Sequence, residues 1–164
     1  MFQLLAAAAI LLLTAADRLT KHLVVSTVKV DGPKPFLFGL FQLRYVENTG
    51  AAFSSFSHKT TLLTVVTVVI LAVGLTLLML HKFRSSFVNV CVVLVLAGGL
   101  GNVIDRIAYG FVVDFIEPLF IDFAVFNFAD CCITVGAILL IIYELRSLLT
   151  ERKKTQAHGN DHTN

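Results

Sequence analysis

"TTLLTVVTVVILAVGLTLLML" runs from Thr60 to Leu80 without a single charged side chain. Its wealth of Val and Thr favours a strand on propensity alone. Its unbroken length decides otherwise, because about 20 consecutive apolar residues are what a helix needs to cross a bilayer. Three more stretches of the same kind surround it: Phe2–Val25, Phe87–Ile104 and Phe126–Tyr143. The first is interrupted by Asp17, Arg18, Lys21 and His22, and the last carries Asn127 and Asp130. The whole chain agrees with this reading. It is 57% hydrophobic with a mean hydropathy of +0.84, and only 15% of its 164 residues are charged; soluble domains carry about 25%. The expected fold class is an α-helical membrane protein with four transmembrane helices.

Residues 1–150 read as one integral membrane domain, and 151–164, "ERKKTQAHGNDHTN" after Thr150, as a polar, disordered tail. The first helix is read as retained rather than as a cleaved signal peptide, since no basic residue precedes it and more apolar spans follow. Ser26–Lys59 is mixed: "DGPKPF" signals a turn, and "FLFGLFQLRYVEN" is aromatic and β-branched with partial alternation. A small sheet between helices one and two, lying on the membrane surface, is expected there. Lys82 and Arg84 in the turn after helix two, and Arg146, Arg152, Lys153 and Lys154 at the end, place both termini in the cytoplasm. The Ser26–Lys59 segment then faces outward, although it carries Lys29, Lys34, Arg44 and Lys59 on that side.

A net charge of +2 without a basic stripe gives no reason to invoke nucleic acid. Cys91, Cys131 and Cys132 lie in apolar runs without metal-ligand spacing and read as small buried hydrophobes. The acids are more informative. A carboxylate at membrane depth is costly, by about 2.5–3.5 kcal/mol on insertion scales, so it faces protein or water. Asp114 sits in "GFVVDFI" and Asp130 has apolar residues far beyond it. Two carboxylates brought together share a proton and can activate water, as in an aspartic protease. Spacing alone leaves other readings open: a helix cap and a buried, hydrogen-bonded acid, or an ion pathway. Glu117 and Asp122 read as solvated loop acids. Asp105 and Arg106 close the third helix and are expected to pair with each other or with nearby backbone. Asp17 and Lys21, four apart, share a helix face as an internal ion pair or as a grip on a polar substrate backbone or lipid head group. "NTGAAF" (Asn48–Phe53) reads as a turn, and "AGGLGN" (Ala97–Asn102) as a site of close helix packing. A transporter is disfavoured by the small helix number and the absence of an inverted repeat; a non-catalytic assembly protein is the remaining competitor.

Taken together, "DRLTK", "NTGAAF", "GNVIDR", "VVDF" and "FNFAD", in this order across Asp17–Tyr143, resemble the blocks of bacterial lipoprotein signal peptidase, the type II signal peptidase. The resemblance implies a membrane-embedded aspartic endopeptidase of the bacterial cytoplasmic (inner) membrane, with its active site toward the outer face. The catalytic pair would be Asp114 and Asp130. Asp17, Lys21, Asn48, Asn102, Arg106 and Asn127 would be supporting polar residues, with Gly50 and Phe53 placed to close on the substrate backbone. The partner would be a prolipoprotein whose lipobox cysteine bears diacylglycerol, cut just before that cysteine, with membrane lipids around it. No metal or organic cofactor is implied, a monomer suffices, and globomycin would be an inhibitor.

Overall fold

The structure is a computed structural model that describes residues 1–50, 60–83 and 85–161, with side chains as far as residue 150. Helix α1 (Phe2–Ser26) is followed by a single turn, α2 (Val28–Asp31), then strand β1 (Lys34–Phe36), a tight turn at Leu37–Gly39, and strand β2 (Phe41–Asn48). Helices α3 (Thr60–Met79) and α4 (Ser86–Tyr109) come next, then strand β3 (Val112–Pro118) and helix α5 (Phe128–Asp161). Four helices are long and apolar enough to span a membrane: Phe2–Asp31 taken as one run, Thr60–Met79, Ser86–Tyr109 and Phe128–Thr150.

The Val- and Thr-rich segment is helical because its hydroxyls fold back on its own backbone. Thr64, Thr67 and Thr76 each donate to the carbonyl four residues earlier, at 2.7–2.8 Å, so these hydroxyls need no water. Val65, Val69, Ile70 and Val73 of α3 are exposed around the helix, which only an apolar surrounding tolerates over such an area. Ser85 caps α4, accepting from Val88 N, and Gly110 ends it in the left-handed conformation at φ 79°.

Helix α4 is the centre of the bundle, packing against α1, α3 and α5. Ala6, Ile10, Leu78, Val93, Leu96 and Ala97 form the apolar core between α1, α3 and α4. The "AGGLGN" run does bring helices close, as expected. A Cβ on Gly98 would stand 2.3 Å from the Ala129 carbonyl oxygen, so a bare backbone is required where α4 meets α5.

The sheet is antiparallel in the order β1-β2-β3. Two of its strands come from the Ser26–Lys59 segment, where the sequence placed a small sheet, and the third comes from beyond α4. Leu43 pairs with Ile116 but Val46 with Asp114, so β2 carries one extra residue, a bulge beside Asp114. Val24, Val28 and Phe115, with Leu43, Tyr45, Ile116 and Phe128 against them, seat the sheet on the end of α1. Helix α5 continues to Asp161 through a stretch whose polarity had suggested a disordered tail; Glu, Arg, Lys, Gln and Ala there are all good helix formers.

Candidate active site

Helix α5 begins at Phe128, so Asn127 precedes the helix in which the sequence reading had placed it. Asn127 is the cap: its Oδ1 accepts from Asp130 N at 2.9 Å, while Asp130 Oδ2 accepts from Asn127 N at 3.2 Å. This reciprocal pair is a capping box with Asp in the place usually held by Glu or Gln. Asp130 thereby gains a fixed rotamer in the first turn of α5, where the helix dipole favours negative charge.

Asp114 arrives from the sheet. Asn48 pairs with Val112 in the register, and its side chain reaches diagonally to Asp114 on the same face. Asn48 Nδ2 donates to Asp114 Oδ2 at 2.8 Å, and Asn127 Nδ2 donates to Asp114 Oδ1 at 2.6 Å. Asn127 therefore holds both acids, Asp114 through its side-chain amide and Asp130 through its backbone N–H. Burial, with the neighbouring Asp130 charge second, pushes the Asp114 carboxyl up to about 6.

Asn102 on α4 is the other hub. Its Oδ1 accepts from Lys21 Nζ at 3.0 Å and from Asn127 Nδ2 at 3.2 Å, and its Nδ2 donates to Asp130 Oδ1 at 2.8 Å. The ammonium fixes which end of the Asn102 amide faces the acid. Lys21 is itself buried, with Asp17 and Asp105 carboxylates each 2.8 Å away. Asp17, Lys21 and Asp105 are 1%, 2% and 0% exposed. Asp17 and Lys21 form the internal ion pair that their spacing suggested. Asp17 Oδ1 also accepts from Ala129 N at 3.0 Å, so α1 holds the first turn of α5.

Asp105 and Arg106 do not pair with each other; each meets backbone instead, the other half of the expectation. Consecutive helical residues point about 100° apart, and these two face different partners. Asp105 turns to Lys21, to the Arg18 guanidinium and to Val113 N (3.2 Å), tying β3 to the bundle next to Asp114. Arg106 Nη2 donates to the Gly50 carbonyl at 3.2 Å. Gly50 N in turn donates to Asn48 Oδ1 at 2.9 Å, which confirms a turn at Asn48–Gly50. Phe53 lies outside the described residues, as do Lys59 and Arg84. Glu117 is no loop acid: it sits in β3, partly buried, and accepts from Gln42 Nε2 and from Arg44 Nη1 (2.7 Å). Asp122 is exposed between β3 and α5, as expected.

Asp114 and Asp130 line one cavity of about 530 Å³, together with Asn48, Asn102 and Arg106. Its other walls are largely apolar, from Val112, Phe126, Ile133 and Val135 among others. Cys131, read from sequence as a buried hydrophobe, is only half-buried and lines this cavity too. Thr67 and Thr134 on the same wall were not singled out from sequence, and no local signal marks them.

Two carboxylates thus line one cavity of a four-helix membrane bundle. Comparison with known proteins agrees. The family model for Signal peptidase (SPase) II matches residues 9–146. The lipoprotein signal peptidases of Streptococcus pyogenes serotype M5 (strain Manfredo) and serotype M18 (strain MGAS8232) are each 38% identical to this chain over 133 residues, which is 81% of this chain and 88% of theirs. A bacterial membrane enzyme solved by the in meso method at 2.3 Å superposes with a TM-score of 0.80 at 32% identity, covering 87% of this chain and 88% of that one. A second, solved at 1.9 Å, gives a TM-score of 0.76 at 32% identity over 85% and 92%. The chain belongs to the signal peptidase II family, and it is a multi-pass aspartic peptidase of the membrane.

Proposed function

We propose that Asp114 and Asp130 are the catalytic pair of a peptidase acting on prolipoproteins whose lipobox cysteine already carries diacylglycerol, and that the cut falls just before that cysteine. Removal of signal peptides from prolipoproteins is the activity of its family. The observation that carries the finer reading is Asn127, which hydrogen-bonds Asp114 through its amide and Asp130 through its backbone N–H. Acids so close hold one proton between them. Burial raises the Asp114 carboxyl, so Asp114 bears that proton.

In this reading Asp130 takes a proton from water as the water oxygen attacks the scissile carbonyl carbon. Asp114 gives its proton to the carbonyl oxygen, and a gem-diol forms. Collapse breaks the C–N bond, the Asp130 proton goes to the leaving amine, and a diol proton returns to Asp114. The pair ends as it began. Asn48, Asn102 and Asn127 orient the acids; Asp17, Lys21 and Arg106 hold the scaffold; Gly50 borders the substrate backbone. The apolar walls of the cavity suit a lipid-bearing substrate. Each buried CH₂ is worth about 0.8 kcal/mol, so a site that the substrate reaches by lateral diffusion avoids extracting the chains. We place both termini in the cytoplasm and the site toward the outer face, on the Lys and Arg distribution. Globomycin would bind at the pair, and one chain carries every group the chemistry needs.

The test is cleavage of a diacylglyceryl-modified peptide and its unlipidated twin by the wild type, Asp114→Asn and Asp130→Asn. Loss of activity in both variants, with insertion and folding retained, is expected, as is a strong preference for the lipidated peptide. Near-normal turnover by either variant removes the pair from the mechanism. Equal cleavage of the two peptides removes the lipid from the specificity.

A further inference from the structure

The peptidase chemistry leaves the far end of the sheet unexplained. The Asn48 end of β2 and the Val112 end of β3 adjoin the site; the opposite end, at Phe41 and Pro118, lies roughly 20 Å along the strands. There the Leu37–Gly39 turn meets the chain leaving β3. Leu119 N donates to the Leu40 carbonyl at 2.9 Å, and the Phe120 ring meets the Phe41 ring edge-on at 5.6 Å between centroids. Leu37, Phe38, Leu40, Leu119, Phe120 and Ile121 are all exposed in this one tip, Phe38 completely so at 104%.

The backbone makes this exposure more telling. Leu37 and Phe38 both hold positive φ, 46° and 56°, ahead of Gly39 at 82°. Large side chains are rarely held in that conformation, and strain of this kind persists where function requires it. Here it leaves the Phe38 ring fully exposed and Leu37 half so. In water such a tip would be disfavoured twice, by its backbone and by its bare apolar surface.

We infer that the tip formed by Leu37–Leu40 and Leu119–Ile121 inserts into the bilayer surface as an apolar anchor, with lipid rather than protein as its occupant. Continuity favours lipid. The sheet is seated by Val24 and Val28 on the end of α1, whose exposed Leu19 and Leu23 belong to the lipid-facing surface of the bundle. Polar groups flank the tip on the strands: Lys34 pairs with Asp31 at 2.7 Å, and Arg44 with Glu117 at 2.7 Å. An apolar end with a charged collar is the pattern of an element lying at the head-group and acyl boundary. Anchored there, the tip holds the sheet, and with it Asp114, at a fixed depth. The inference rests on membrane embedding and not on the catalytic reading.

The chain contains no tryptophan, so single-tryptophan variants report cleanly. Phe38→Trp and Phe120→Trp in the full chain are reconstituted into vesicles of lipids brominated on their acyl chains, with Val69→Trp on exposed α3 as the lipid-facing reference. Blue-shifted emission is expected, quenched at least roughly twofold by the bromines, as for a ring buried about 5–10 Å into the boundary. Solvent-like emission reached by aqueous iodide would overturn the proposal. So would blue-shifted emission untouched by bromolipid, which would mean that protein covers the tip. Should Phe38→Trp fail to fold, Phe120→Trp decides alone. The readout needs no cleavage, so its failure is separable from failure of the peptidase reading.

Discussion

Replacing Gly101 by alanine tests the buried scaffold behind the two acids. The new methyl would stand 2.5 Å from Asp17 Oδ2; ordinary contact begins at 3.4 Å, so the carboxylate must give way by about 0.9 Å. It has no free direction. Oδ2 holds Lys21 Nζ at 2.8 Å and Oδ1 accepts from Ala129 N at 3.0 Å. Overpacking costs about 1–3 kcal/mol, and weakening a hydrogen bond to a charged group adds up to about 1.5–3 kcal/mol. We expect unfolding free energy to fall by about 2–4 kcal/mol. Ala129 is the neighbour of Asp130, so the acid moves with it. An error near 1 Å in catalytic geometry costs about 100-fold, and turnover of a lipidated peptide should fall about 10–100-fold. Denaturant titration in detergent and steady-state kinetics read the two effects. In an Asp17→Ala background the opposing oxygen is gone, and the further cost of Gly101→Ala should shrink below about 1 kcal/mol. Additive losses in the double variant, or a Gly101→Ala protein with wild-type stability and turnover, would refute the reasoning.

Other outcomes follow from the same geometry. The folded chain keeps the Asp114 proton up to about 6, against 3.8 for the free side chain. This group's contribution to stability is therefore present in acid and lost as pH rises through that window, by on the order of 3 kcal/mol. The unfolding free energy of Asp114→Asn relative to wild type should thus climb over that window; a constant difference counts against it. Activity should decline as pH rises beyond about 6 and the shared proton leaves; a kcat/KM profile flat well into the alkaline range argues against proton sharing. Asn102→Leu removes the donor to Asp130 and the acceptor for Lys21, and kcat should drop about 10–100-fold with KM little changed; a KM effect alone would assign Asn102 to substrate binding. Arg44→Ala breaks a half-exposed pair with Glu117, so stability should change by less than about 1 kcal/mol and activity not at all; a larger loss would show that the pair sets the β2–β3 register.

Sequence alone determined whatever depends on local composition. Thr60–Leu80 had to be a membrane helix because backbone groups in lipid must be satisfied within the segment, and length decides that. Asp17 and Lys21 had to meet because four residues make one helical turn. The Asn127–Asp130 cap was legible in principle, since an N-x-x-D pattern before an apolar run signals a helix start; the longer apolar stretch masked it. The site roles came from the resemblance of whole blocks, not from any single spacing. Tertiary structure alone decided what depends on distant partners. Val112–Pro118 becomes a strand only because β2 supplies the other half of its ladder. Asp105 turned from its neighbour Arg106 to Arg18 and Lys21 because α1 lies on that side of α4. The exposure of Leu37 and Phe38 likewise follows from a turn that no propensity would choose. A pattern along the chain records which groups are apolar or charged; which of them meet is set by packing between elements, and only the folded chain contains that.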